Sequence, residues 1–258
     1  MTRLETLGKL LYRGFLPIML PDELAVLPTL EQIVAVGLET VELSARRQGV
    51  LQLLATAKRN FPQLAIGVSG LLEEGRLRDH LVRRGTELPS IAQAADAGAD
   101  FLSSNAPFSE AVYERYGSTH ILIPGAATLG DAVTAVNRGA NLLRFIVPYL
   151  SGGTSFLRAL DQQTHQSLPI FTVGHVRFEL QAGYIAAGTL LCGAGFDTIL
   201  GPDYRPMQRA FDEEYVQEAL TRFLLPIDRI RRTLLENVPF ASRDPLAIAA
   251  ATGRCLNV

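Results

Sequence analysis

Lysine, cysteine and long apolar runs are all scarce in this 258-residue chain, and each scarcity removes a class of protein. The two cysteines, Cys192 inside an apolar run and Cys255 near the end, cannot make a disulfide framework or a metal-ligand spacing, and Cys192 reads as a small core residue. Apolar stretches are strand-length and broken by Gly, Pro or charge, so none approaches the roughly twenty residues that span a bilayer. Residues 1–12 carry charges throughout, without the apolar stretch and cleavage site of a signal peptide. A soluble, cytoplasmic protein is expected. Lys and Arg total 24 against 26 Asp and Glu, a net charge of -2, and they are scattered, so no basic field exists for a nucleic-acid backbone. His80, His120 and His165 lack metal-ligand spacing. Nucleic acid, membrane, metal and cofactor are all expected to be absent as partners.

What the chain does have is rhythm. Val36-Gly37, Ala97-Gly98, Arg138-Gly139 and Ala187-Gly188 each stand after a helical stretch and before a short apolar run. Glycine there is a helix C-cap, because it enters the left-handed conformation without steric cost. The pattern predicts eight strands: Phe15–Leu20, Thr40–Leu43, Ala65–Val68, Phe101–Ser103, Ile121–Pro124, Leu142–Val147, Ile170–Val173 and Leu190–Gly193. Helical spacing fills the gaps at Gln48–Asn60, Ile91–Ala97, Leu129–Arg138 and Thr154–Gln162. Near-continuous apolar strands alternating with helices describe a parallel sheet covered by helices, and eight such units a single (β/α)8 barrel. A doubly wound open sheet competes, but Met19-Leu20-Pro21-Asp22 follows the first strand where a Gly-rich dinucleotide fingerprint would stand. The whole of 1–258 reads as one domain, with the barrel at 14–200 and a C-terminal helical extension at 201–258.

Two stretches break the rhythm. Leu72–Leu88, rich in Glu, Arg and Gly, is too long for an ordinary connection after the third strand and reads as an extra helix, a lid or a solvated insertion. Tyr215–Leu235 reads as an amphipathic helix interrupted at Pro226, packing either on its own barrel or on a neighbouring subunit, and 237–258 has weaker periodicity.

Chemistry in such a barrel belongs at the C-terminal ends of the strands. That rule selects Glu42 and Arg46 at the second strand, Ser69 and Gly70 at the third, and Pro124, Gly125 and Thr128 at the fifth. It selects Arg144 at the sixth, Gly174 and His175 at the seventh, and Gly193, Ala194 and Gly195 at the eighth. Glycines after the last two strands suit the approach of backbone N–H groups to a phosphate. Arg144 stands out, since it interrupts the apolar run Leu142-Leu143-Arg144-Phe145-Ile146-Val147, where a guanidinium must face something.

The stretches Phe15-Leu-Pro-Ile-Met, Val41-Glu-Leu-Ser-Ala-Arg46, Ile123-Pro-Gly-Ala-Ala-Thr128, Leu143-Arg-Phe-Ile and Thr172-Val-Gly-His, in this order, resemble those of the 2-keto-3-deoxy-6-phosphogluconate and 4-hydroxy-2-oxoglutarate aldolases. The similarity covers about residues 14 to 200. It implies a homo-oligomeric barrel, a trimer in the family form, that cleaves or forms a carbon–carbon bond next to pyruvate through a lysine Schiff base. It implies a proton-shuttling role for Glu42 and a substrate-holding role for Arg46. A carboxylate near the reacting carbon can move protons, and a bidentate arginine suits a keto-acid carboxylate or a phosphate. An alternative for the same two residues is a mutual ion pair at the strand end.

The family's Schiff-base lysine aligns with Arg144. Guanidinium stays protonated and is a poor nucleophile, so Arg144 cannot replace it. The only lysines, Lys9 and Lys58, are expected to point away from the mouth. The family's phosphate contact at the seventh strand reads Gly174-His175 here, and His175 is either an anion contact or an ordinary surface residue.

Three readings remain open. One is a lyase acting on a 2-keto acid by another route, with Arg144 and Glu42 catalytic and Arg46, Gly70, Pro124, Thr128, Gly174, His175, Gly193 and Ala194 around a small anionic substrate. A second is a non-catalytic barrel that binds a sugar acid or keto acid between Arg46 and Arg144. The third is a structural homologue with a closed mouth, Arg144 being satisfied internally by Glu42.

Overall fold

All eight expected strands form in the computed structural model, which describes residues 1–20, 24–146, 152–174, 176–201, 211–234 and 242–258. They are β1 (Phe15–Met19), β2 (Thr40–Ser44), β3 (Ala65–Ser69), β4 (Phe101–Ser103), β5 (Ile121–Ile123), β6 (Leu143–Ile146), β7 (Ile170–Val173) and β8 (Thr189–Gly195). Val147, expected to end the sixth strand, lies outside the described residues, as do Pro21, Asp22 and His175. The helices are α1 (Arg3–Tyr12), α2 (Val26–Ala35), α3 (Val50–Asn60), α4 (Arg76–Arg83), α5 (Ile91–Asp96), α6 (Glu110–Tyr116), α7 (Leu129–Arg138), α8 (Gly153–Gln163), α9 (Phe178–Ala186), α10 (Phe196–Leu200), α11 (Glu213–Leu234) and α12 (Pro245–Thr252). Gly37, Gly98, Gly139 and Gly188 have φ of 76°, 93°, 105° and 107°, so each helix-to-strand turn uses the left-handed conformation that the sequence pattern requires.

Parallel pairing runs in the order β5-β4-β3-β2-β1-β8-β7-β6. The two open edges, β5 and β6, meet through a bridge between Gly125 and Arg144. There the Arg144 N–H donates to the Pro124 carbonyl at 2.9 Å and the Ala126 N–H donates to the Arg144 carbonyl at 2.9 Å. Lower on the same seam, Asn141 imitates a strand residue: its N–H donates to the Leu122 carbonyl at 3.0 Å and its side-chain oxygen accepts from the Leu122 N–H at 2.7 Å. Eight strands closed in this way form a (β/α)8 barrel.

Alternation along the strands divides two cores. Leu16, Ile18, Phe101, Ile121, Ile123, Phe171, Val173 and Leu191 fill the barrel interior. Val41, Leu43, Ile66, Val68, Leu102 and Cys192 face the surrounding helices. Two strand glycines make room for the interior rings: a Cβ on Gly67 would lie 2.2 Å from the Phe101 ring, and one on Gly193 would lie 2.8 Å from the Phe171 ring. The interior is closed at its N-terminal end by Leu7, Leu10 and Leu11 of α1 and by Ile248 of α12. Residues 3–12 were not expected to be helical. The signal is present as a capping box, in which Thr2 Oγ1 accepts from the Glu5 N–H at 3.2 Å and the Glu5 carboxylate accepts from the Thr2 N–H at 2.7 Å.

The stretch after β3 carries α4, which buries no residue and is a solvated helix. Near the C-terminus, α11 runs unbroken through Pro226, contrary to the interruption expected there. A mid-helix proline costs about 3 kcal/mol or more locally. The helix buries Val216, Ala219, Leu220, Phe223, Leu224 and Ile227 while lying against α2 and α9 of its own barrel. Burial of six apolar side chains, at about 1.5–3 kcal/mol for each large one, outweighs the lost bond.

Candidate functional site

Arg144 belongs to both the seam and the site. Its backbone closes β5 on β6, and strand alternation then turns its side chain into the barrel above the Phe171 ring, whose centroid is 5.3 Å from Cζ. On the facing wall, Glu42 sits in register between Ile18 of β1 and Gly67 of β3. Nη1 of Arg144 donates to Glu42 Oε1 at 2.9 Å and Oε2 at 2.8 Å, and to Ser103 Oγ at 3.0 Å. The pair is withdrawn from water, with side-chain exposures of 6% for Arg144 and 0% for Glu42.

All three contacts use one nitrogen. Nε is buried without a hydrogen-bond partner, and Nη2 has none among the described residues. The Nε/Nη2 edge, the fork that fits a carboxylate or phosphate with two parallel hydrogen bonds, is therefore unengaged. Ser44 and Ser69, paired in register one layer above Glu42, add small buried polar side chains on the same inward face.

The other expected site residues divide. Arg46 is exposed, its side chain makes no hydrogen bond among the described residues, and its N–H donates to Ser44 Oγ at 3.3 Å. The expected alternative of a Glu42–Arg46 ion pair is replaced by Glu42–Arg144, because Glu42 points into the barrel while Arg46 lies beyond the strand end. Sequence reasoning passed over the neighbouring Arg47, whose Nη1 and Nη2 donate to the Leu20 and Leu24 carbonyls at 2.8 and 3.0 Å and tie the β1 and β2 loops together. Gly70 and Gly174 take φ of 71° and 88° just past β3 and β7, on the rim of the mouth.

Ile-Pro-Gly-x-x-Thr is a structural device in this chain. The Pro124 carbonyl accepts the seam bond from Arg144. A Cβ on Gly125 would meet the Asn105 carbonyl oxygen at 2.3 Å, so only glycine lets these two loops touch. Thr128 caps α7, its Oγ1 accepting from the Asp131 N–H at 3.1 Å. Gly193 faces inward but its space is taken by Phe171, and Ala194 faces the outer core, so neither lines an open phosphate cradle. Among the described residues, no three His, Cys, Asp or Glu side chains gather as a metal site. Burial pushes the Cys192 thiol up to about 12, which leaves it protonated and inert.

Both lysines lie at the opposite end of the barrel. Lys58 Nζ donates to the Asp100 carboxylate at 2.8 and 2.6 Å, and Lys9 Nζ donates to the Gln63 carbonyl, partners that precede β4 and β3. No lysine of this chain reaches the mouth.

Residues 14–202 match the family model described as KDPG and KHG aldolase. The chain belongs to this aldolase family. Its relatives include the 2-dehydro-3-deoxy-6-phosphogalactonate aldolase of Escherichia coli, 30% identical over 119 residues, a match that spans 45% of this chain and 58% of that enzyme. The 2-dehydro-3-deoxy-phosphogluconate aldolase of Pseudomonas aeruginosa is 24% identical over 70% of this chain and 76% of its own. Among solved structures, a native KDPGal structure superposes with a TM-score of 0.64 at 22% identity, covering 84% of this chain and 96% of that one. A KDPG aldolase from Legionella pneumophila, solved with pyruvate captured as a covalent carbinolamine, superposes with a TM-score of 0.61 at 18% identity, covering 85% and 94%. These aldolase structures share the barrel. In this aldolase-family chain the centre of that barrel holds an arginine–glutamate pair.

Proposed function

We propose that this chain takes a 2-keto acid or keto-deoxy sugar acid at the barrel mouth and breaks or makes the carbon–carbon bond next to its keto group without a lysine Schiff base. The observation that carries this reading is the unengaged Nε/Nη2 fork of Arg144, held in place by Glu42 through the other nitrogen. The fork receives the substrate's carboxylate, and its charge lies beside the oxygen that becomes an enolate. For a 4-hydroxy-2-oxo acid, Glu42 removes the C4 hydroxyl proton and the C3–C4 bond breaks. C4 leaves as an aldehyde, the electron pair passes into the pyruvate enolate, and Glu42 returns the proton to C3. Atoms and charge balance without an external reagent. In this reading Arg46, exposed beyond the end of β2, meets the distal, solvent-side end of the substrate, and Gly70 and Gly174 give backbone access at the rim.

A second reading, a binding barrel without catalysis, is favoured by the complete burial of Glu42 and the commitment of both its oxygens to Arg144. Retro-aldol assays on 2-keto-3-deoxy sugar acids, run with borohydride trapping in pyruvate, separate the readings. Cleavage with no trapped adduct supports the first. Binding that is lost in Arg144→Met, without cleavage, selects the second. A trapped adduct on Lys9 or Lys58 overturns the Schiff-base-free route, and absence of any binding overturns both readings. The partner class is a small anionic substrate, and a homo-oligomer remains the family expectation, checked by sedimentation.

A further inference from the structure

At the end of the barrel opposite the mouth, a cavity of about 360 Å³ opens between the C-terminal ends of α8, α9 and α11, the start of β8, and α12. Its charged lining is Arg158, Arg231, Arg254 and Asp161, an excess of two positive charges (three arginines against one aspartate). Two described carboxylates nearby, Asp161 and Asp228, are committed to other arginines. Asp161 pairs with Arg254, and Gly188 makes that approach possible, because a Cβ there would lie 2.5 Å from Asp161 Oδ2 and 2.6 Å from Arg254 Nη2. Asp228, one turn before Arg231 on α11, accepts from Arg13 Nε at 3.2 Å and Nη2 at 2.5 Å.

Arg231 is left over. It is only 4% exposed, and the hydrogen bond of its guanidinium among the described residues is from Nη1 to the Tyr12 carbonyl at 2.9 Å. Burial pushes its pKa down to about 10, outweighing the opposing influence of Asp228 nearby. A buried arginine that has no direct ion pair among the described residues is costly, and an anion in the adjoining cavity would reduce that cost. Ile185, Leu190, Leu234 and Ile248 supply an apolar wall across from the charges, and the volume lies within the roughly 300–1,000 Å³ of small-molecule sites.

We infer that this cavity is a second ligand site, separate from the mouth, for a small organic anion that carries a phosphate or carboxylate group on a compact apolar body. Its occupant contacts α8, α9, α11 and α12 together and so couples ligand binding to docking of the C-terminal helices on the barrel. The site stands independently of the chemistry proposed at the mouth.

Phenyl phosphate is a suitable probe, titrated by calorimetry and followed by thermal unfolding. Full-length protein is expected to bind one equivalent at this end and to melt at higher temperature as the probe is added. Arg231→Met is expected to weaken binding by about tenfold or more, the scale of one charge-assisted contact, and exposed Arg158→Gln by about threefold. Ala251→Phe, which fills the cavity and keeps every charge, is expected to abolish binding. Glu42→Leu combined with Arg144→Met, which removes the mouth pair without leaving a buried unpaired charge, serves as the control for the mouth and is expected to leave this equivalent intact. If Arg231→Met does not fold, Arg158→Gln and Ala251→Phe decide. No binding at millimolar probe, wild-type affinity in Ala251→Phe, or affinity that disappears in the folded Glu42→Leu, Arg144→Met double variant would each overturn the inference.

Discussion

Two buried ion pairs, one at each end of the barrel, have nearly the same surroundings and opposite consequences. Glu42–Arg144 at the mouth has side-chain exposures of 0% and 6%, and Asp161–Arg254 at the floor has 6% and 7%. Burial alone does not tell them apart. At the mouth all the polar contacts go to Nη1, and the better anion-binding edge of the guanidinium is left without a partner. At the floor Arg254 likewise makes its hydrogen bonds through Nη1, to Asp161 and to the Leu168 carbonyl at 3.2 Å, with Nε buried and unpartnered, and the pair ties the C-terminal tail to α8. The donors left over are alike in the two arginines, so what distinguishes a candidate site from a clasp is where the chain places them: Arg144 inside the barrel beneath the strand ends, Arg254 in the tail that docks on α8.

The sharpest way to break this comparison is to remove one partner at the mouth. Glu42→Leu leaves a guanidinium inside the barrel with no counter-charge, and an expected loss of about 3–5 kcal/mol in urea unfolding follows. Glu42→Leu combined with Arg144→Met replaces the pair by packed apolar groups and is expected to recover most of that loss. A single substitution that costs less than about 1 kcal/mol would mean that Arg144 is hydrated and that the pair is not buried in solution.

At the floor, Asp161→Leu is expected to cost about 3 kcal/mol for the same reason, measured in the same way. The contrast lies in function: keto-acid binding at the mouth should survive Asp161→Leu and vanish in Glu42→Leu with Arg144→Met. Loss of mouth binding in the floor variant would show that the two ends are coupled.

The mouth pair was legible in the sequence and the floor pair was not, for a physical reason. Arg144 interrupts a strand whose neighbours are all apolar, so period and composition expose it, and the strand-end rule brings Glu42 beside it. Asp161 lies on a helix and Arg254 in a tail, 93 residues apart, among many other charges with no period linking them. The four C-cap glycines announced their turns because a positive φ is a local requirement. Pro226 misled because its cost is local, whereas the burial that carries α11 past it is tertiary. The motif at 123–128 marked the family correctly, yet its work here is closing β5 on β6 and capping α7, contacts that exist only after the seam forms.

That structural role gives the next test. Thr128→Ala removes the α7 cap and is expected to cost about 1 kcal/mol. Hydrogen bonding with the Thr128 side chain, then the Ala127 N–H, holds the Asp131 carboxyl below its ordinary value. A carboxyl lowered by folding stabilises fully above its unfolded value, and the contribution fades as pH falls through the folded one. The Thr128→Ala deficit is therefore expected at neutral pH and should shrink toward pH 2. A deficit that does not change with pH would separate the cap from Asp131, and a loss of several kcal/mol would show that the motif supports the seam through the cap itself.

Arg46→Ala carries the smallest expected effect on stability and the most specific one on function. The side chain is exposed and makes no hydrogen bond among the described residues, so unfolding should shift by less than about 0.5 kcal/mol. If Arg46 meets the distal group of the substrate, KM or the ligand dissociation constant should rise by about tenfold with kcat nearly unchanged, because the contact is the same in ground and transition states. A fall in kcat at constant KM would move Arg46 into the chemistry beside Arg144. No change in either constant would leave Arg144 as the anchor of the mouth, and its unpartnered fork alone would then have to hold the substrate.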